Sequence, residues 1–241
     1  MPDPGAQTAP LAPRLLAWSV HLLTASGAVL GALALWEVGR GGFERAALYM
    51  LAAMSIDAFD GSLARRVRVA ERIPAIDGRR LDDIVDYTNF AIVPVVFLLA
   101  AGAFLHWSLA ALPVLASAYG FAQVDAKTED DFFLGWPSYW NVLAIYVWLL
   151  DLSPASATAW IALFSALVFV PLKYVYPSKL RRFRATMLIG GTLWVWALAF
   201  IIWFPDAAAR WRAVEISLVY PVLYVALSVW LGQWWRPRAG T

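Results

Sequence analysis

The stretch SIDAFDGSLARR at residues 55–66, followed after a basic loop by DGRRLDDIVDYTNF at 77–90, decides the fold. Each segment is the charged end of a long apolar run, one reaching back to Phe43 and the other forward to Phe104. Charge confined to one end of an apolar helix marks a membrane surface. Helical phase then sorts the acids. Asp57, Asp60, Gly61 and Ala64 recur at i, i+3, i+4 and i+7 and share a face, as do Gly78, Asp82 and Asp86 at intervals of four. Asp83 falls off that face, and Asp77 precedes it.

Outward from these two helices the chain stays apolar. Of 241 residues 61% are hydrophobic, and the mean hydropathy of +0.64 exceeds what a soluble domain of this size carries. Spans of about 20 residues are predicted at Leu15–Trp36, Phe43–Arg65, Asp82–Phe104, Ser108–Val124, Pro137–Leu150, Ala155–Lys173, Arg184–Phe204 and Ala213–Trp234, the fifth being short. The expected fold is an all-α, polytopic membrane bundle of about eight transmembrane helices. One integral domain, 15–235, is flanked by an N-terminal tail, 1–14, and a C-terminal tail, 236–241.

Fifteen of the 19 lysines and arginines fall in alternate loops, and Arg40, Arg45, Arg210 and Arg212 in the opposite ones, which predicts both termini in the cytoplasm. Tryptophans 36, 107, 136, 140, 203, 211, 234 and 235 lie near span ends, where aromatic belts form. The net charge of +2 is spread over helix ends and gives no nucleic-acid surface. Absence of cysteine excludes disulfides and thiolate chemistry.

Carboxylates at a membrane surface are costly unless they serve a site. Four of them on two packed helices resist ionisation unless cations neutralise them. Hard oxygen ligands without His or Cys favour Mg²⁺ or Mn²⁺, and Asp57, Asp60, Asp82 and Asp86 can bridge two such ions about 4 Å apart, an arrangement suited to phosphoryl transfer. Gly61 and Ala64 leave room beside them, and Arg65 can fork onto a pyrophosphate. The plainer alternative is a salt-bridge network with arginines 65, 66, 68, 72, 79 and 80.

Written as a string, D-x-x-D-G-x-x-A-R and G-x-x-x-D-x-x-x-D resemble the signature of the CDP-alcohol phosphotransferase family, at Asp57, Asp60, Gly61, Ala64, Arg65, Gly78, Asp82 and Asp86. That resemblance implies a CMP-releasing transfer with four aspartates holding two divalent metals (Mn²⁺ or Mg²⁺) and Asp86 also acting as general base. It implies a CDP cradle of Thr24, Gly61, Ala64, Arg65 and Gly78, and a homodimer. His21 stands where many relatives carry Asn, a departure from the family pattern.

The spacer Arg66–Asp77 is longer than is common in the family. With TEDDFFLGWPSYWN at 128–141 and VPLKYVYPS at 170–178, it resembles the bacterial branch that joins choline directly to CDP-diacylglycerol. The resemblance implies residence in the bacterial inner membrane with the site facing the cytoplasm. A quaternary ammonium offers no N–H and is recognised by aromatic faces and carboxylates, which points to Glu129, Tyr139 and Trp140. Lys173 and Lys179 are candidates for steering a lipid phosphate. Gly27 and Gly31 read as a close-packing pair, and His106 as structural. The signature specifies the CDP half only, so serine, glycerol phosphate or inositol could replace choline. A divalent-metal transporter would also carry membrane acids, though near mid-bilayer rather than crowded at one surface.

Overall fold

The structure, a computed structural model, describes residues 11–126, 128, 130–177, 179–180 and 183–234. Part of the expected N-terminal tail, the whole C-terminal tail, Trp235 and Glu129 lie outside them. The described chain is helical apart from one small sheet. Its helices are α1 (Leu11–Gly39), α2 (Phe43–Val67), the single turn α3 (Val69–Arg72), α4 (Gly78–Ala100), α5 (Trp107–Ala122), α6 (Trp140–Leu149), α7 (Pro154–Phe169), α8 (Arg184–Trp203), the short α9 (Pro205–Arg210) and α10 (Ala213–Gly232). Strands β1 (Phe132–Leu134) and β2 (Lys173–Val175) pair antiparallel, with Phe133 opposite Tyr174.

By length and composition α1, α4, α8 and α10 can each cross a bilayer, while α5, α6 and α7 are shorter apolar helices. Their outward faces carry large apolar side chains, such as Trp196 at 70% exposure. In water such a surface would be an aggregation patch; in lipid it is solvated. The protein is a membrane-embedded, all-α bundle.

Local chemistry sets the helix ends. The Asp77 carboxylate accepts from the backbone N–H of Arg79 (3.0 Å) and Arg80 (3.2 Å), so α4 begins at Gly78, a turn before the expected Asp82. The sixth expected span, drawn to Lys173, stops at Phe169. Pro171 holds Val170 extended, and the chain continues as β2. The fifth is confined to Trp140–Leu149, because the approach to it is irregular: Gly135 (φ +81°) and Ser138 (φ +55°) both lie in the left-handed region. A Cβ at Gly135 would stand 2.3 Å from the Val168 carbonyl oxygen, so glycine is required there on two counts.

The main core lies between α2, α4, α6 and α8. Phe97 of α4 meets Phe43 and Trp148 edge-on, with centroids 5.2 and 6.0 Å away. Polar groups inside are paired: Trp194 Nε1 donates to the Tyr146 hydroxyl (2.9 Å), which is 2.8 Å from Ser217 Oγ. Helix α1 packs against α2 and then against α4, and this three-helix contact positions the site.

Candidate active site

Ala17, Val20, His21, Thr24, Gly27, Gly31, Ala34 and Val38 form the buried face of α1, at helical spacings of three and four. On that face Thr24 Oγ1 donates to Asp60 Oδ2 at 2.7 Å, joining α1 to α2 through an aspartate only 4% exposed. One turn on, Gly27 approaches α4 so closely that a Cβ would stand 2.9 Å from Val85 Cγ1. At Gly31 it would stand 2.4 Å from Asn89 Oδ1, and Asn89 Nδ2 donates to the Gly27 carbonyl at 3.0 Å. The glycine pair therefore makes room for a buried asparagine.

Asn89 lies in a π turn, Thr88–Ile92, closed by the i→i−5 bond from Val93 N–H to Thr88 O. Pro94 follows and cannot supply an N–H to the preceding turn, which accounts for the widening there. The turn begins two residues after Asp86.

Carboxylate oxygens of Asp57, Asp82 and Asp86 lie within 4.8 Å of one another. Asp86 is within hydrogen-bonding distance of Asp57 and within electrostatic reach of Asp60. At this separation, with an effective dielectric near 20, each ionised pair repels by about 3–4 kcal/mol. Three oxygen donors so placed, with a fourth carboxylate held by Thr24, suit a hard cation and would be costly without positive charge. The three-aspartate cluster can hold a metal ion. Asp83 is exposed, and Asp77 serves as the α4 cap and pairs with Arg80 at 3.6 Å.

Around the cluster, Arg65 folds back along α2 so that its Nη1 would be 3.5 Å from a Cβ at Gly61. Ala64 packs on Ala17, Val20, Val67, Val69 and Ile73 beneath the site. Gly78 lies under His21, whose Cε1 would be 3.2 Å from a Cβ there, and His21 Nε2 is buried without a hydrogen-bond partner among the described residues.

The aromatic candidates separate. Tyr139 is half-buried; its hydroxyl is hydrogen-bonded to Tyr224 and lies within electrostatic reach of Asp57. Trp140 is turned away from the site: fully buried, it donates from Nε1 to Ser117 Oγ at 2.6 Å, and it is a core residue between α6 and α5 rather than part of a ligand cage. Consecutive residues at a helix start point about 100° apart, so one faces the site and its neighbour the core. Lys173 and Lys179 also differ from expectation. Lys173 Nζ sits 2.5 Å from Asp130 Oδ2 and Lys179 Nζ 3.3 Å from Asp131 Oδ1, so acids of the β1 loop occupy the positive charge expected to meet a lipid phosphate. His106 accepts at Nδ1 from Ser108 N (3.3 Å) and caps the first turn of α5.

Sequence reasoning passed over Asn89 and Tyr224. Asn89 had a signal, since Asp82, Asp86 and Asn89 share a face at i, i+4 and i+7. Tyr224 had none, because it reaches the loop only through tertiary packing.

A membrane helical bundle whose α2 and α4 carry the eight signature positions around an aspartate cluster defines a CDP-alcohol phosphotransferase. No family model matches the chain. It is 38% identical to the phosphatidylcholine synthase of Legionella pneumophila over 223 residues, 88% of this chain and 87% of that one. It is 30% identical to the phosphatidylcholine synthase of Pseudomonas aeruginosa, over 90% of this chain and 94% of that one. It is 34% identical to that of Borreliella burgdorferi, over 70% and 74% respectively. The chain belongs to the bacterial phosphatidylcholine synthase family and is a transferase.

Proposed function

We propose that the protein transfers the phosphatidyl group of CDP-diacylglycerol to choline and releases CMP. The observation that carries this reading is the convergence of Asp57, Asp82 and Asp86 within 4.8 Å in a chain that matches phosphatidylcholine synthases over most of its length.

Asp57, Asp60, Asp82 and Asp86 would hold two divalent ions, Mn²⁺ or Mg²⁺, which supply positive charge to the oxygens of the reacting pyrophosphate. The chain's own groups do the rest. Thr24 orients Asp60 by donating to it. Gly61, Ala64, Arg65, Gly78 and Thr24 form the proposed CDP cradle; Arg65, lying along Gly61, is placed to fork onto phosphate oxygens. Asp86 takes the proton of the choline hydroxyl as that oxygen attacks the β-phosphorus; the bond to the CMP oxygen breaks, and CMP leaves. No covalent enzyme intermediate is required. Tyr139 is the proposed aromatic contact for the ammonium group; Glu129 remains a candidate acid beside it.

The same reading places eight spans in the bacterial inner membrane, with termini and site on the cytoplasmic side and a homodimer as the working unit. Basic-residue asymmetry supports the orientation.

The test is CMP release from CDP-diacylglycerol with choline, ethanolamine or serine, in Mn²⁺ and in Mg²⁺. Release dependent on choline is expected. Release with serine alone would move the protein to another acceptor, and metal flux into proteoliposomes without CMP release would replace the enzyme by a transporter.

A further inference from the structure

Helix α10 contributes nothing to the aspartate cluster, yet a continuous set of hydrogen bonds connects the two. Tyr224 of α10 is 7% exposed, and its ring meets that of Tyr139 edge-on, centroids 5.7 Å apart at 74°. Its hydroxyl donates to the Val175 carbonyl of β2 at 3.1 Å. The same strand residue donates its N–H to Ser228 Oγ (3.1 Å), which donates on to the Tyr224 carbonyl (2.8 Å). Trp234 Nε1 closes the far end of the strand on the Lys173 carbonyl at 2.7 Å. Strand β2 is thus fastened to α10, and through its pairing with β1 it anchors the loop that ends at Tyr139.

A tyrosine hydroxyl has one proton to donate. Tyr224 gives its proton to Val175, so the proton in the Tyr139–Tyr224 bond is supplied by Tyr139. The Tyr139 hydroxyl proton is therefore directed at α10, and its oxygen keeps lone pairs for the side on which Asp57 lies. In an amino alcohol with two carbons between oxygen and nitrogen, the cation must sit close to whatever group receives the hydroxyl proton. A cation with no N–H needs a fixed ring and acceptor atoms there, because it has no hydrogen bond of its own with which to order a mobile side chain.

We infer that Tyr224 is a positioning residue for the acceptor's quaternary ammonium group: by holding the Tyr139 hydroxyl it fixes the Tyr139 ring beside Asp57. This rests on the choline reading above. Tyr224 acts through Tyr139 and touches no reacting atom.

The test uses full-length protein and steady-state CMP release. Tyr224→Phe keeps the ring and loses one hydrogen bond, and is expected to raise the choline KM about fivefold, with the CDP-diacylglycerol KM and the thermal midpoint unchanged. In a double-mutant cycle Tyr139→Phe gives the same rise, and adding Tyr224→Phe to it gives no further change. An unchanged choline KM in Tyr224→Phe, equal shifts for both substrates, or full additivity in the cycle would overturn the inference while leaving the enzyme reading intact. Wild-type protein that releases CMP without need of choline would overturn both.

Discussion

Thr24 on α1 and Asp60 on α2, 36 positions apart in the chain, share a 2.7 Å hydrogen bond inside the bundle. A buried carboxylate with a fixed donor on one oxygen presents the other in a set direction, which is how outer-shell partners tune metal affinity. Thr24→Val removes the donor and preserves the volume. The Mn²⁺ concentration for half-maximal CMP release is expected to rise at least about tenfold, with Thr24→Ser near wild type. An unchanged metal titration would detach Asp60 from the metal site.

Asp86→Asn keeps shape and loses the ability to accept the hydroxyl proton. Turnover is expected to fall by about 10²- to 10⁴-fold, while Mn²⁺ binding followed by electron paramagnetic resonance persists. Chelation should silence the wild-type enzyme, and Mn²⁺ should restore it but not the variant. Wild-type turnover in Asp86→Asn with metal bound would end its assignment as base.

Gly31→Ala places a Cβ 2.4 Å from Asn89 Oδ1. Overpacking of this kind costs about 1–3 kcal/mol, and here the strain falls beside the π turn that follows Asp86. A lowered unfolding midpoint in detergent is expected, with partial recovery when Asn89→Ala is added. A Gly31→Ala midpoint equal to wild type would mean that Asn89 moves aside freely.

The Lys173–Asp130 pair gives a pH prediction. Partial burial pushes the Asp130 carboxyl up, but hydrogen bonds from Lys173 and the Thr128 hydroxyl, with the lysine charge, outweigh it and hold Asp130 below its ordinary value of 3.8. A depressed folded value stabilises above the unfolded one, and that contribution disappears as pH falls through the folded value. Protection of the β1–β2 amides against hydrogen exchange is expected to be flat from neutrality down to about the ordinary value and to drop below it. Because both side chains are part-exposed the effect is under about 1 kcal/mol. Asp130→Asn should remove the acid step; a step that survives belongs to another group.

The sequence by itself determined whatever depends on neighbours within a turn or two. Helical phase is a property of one segment, so the pairing of Asp57 with Asp60 and of Asp82 with Asp86 on single faces, and the separation of Asp83 from them, could be read from spacing alone. Apolar run length likewise gave the membrane-embedded helices, and Pro171 and Asp77 carry the signals for the shifted ends of α7 and α4. Only the tertiary structure decided which faces meet. The approach of α1 at Gly27 and Gly31 put Thr24 on Asp60. Pairing of β1 with β2 brought Asp130 and Asp131 to the lysines assigned to a lipid phosphate. The turn into α6 sent Trp140 to Ser117 and left Tyr139 with Tyr224 and Asp57. Those contacts join residues dozens of positions apart, and their geometry is set by how whole helices pack, which local propensity and spacing do not encode.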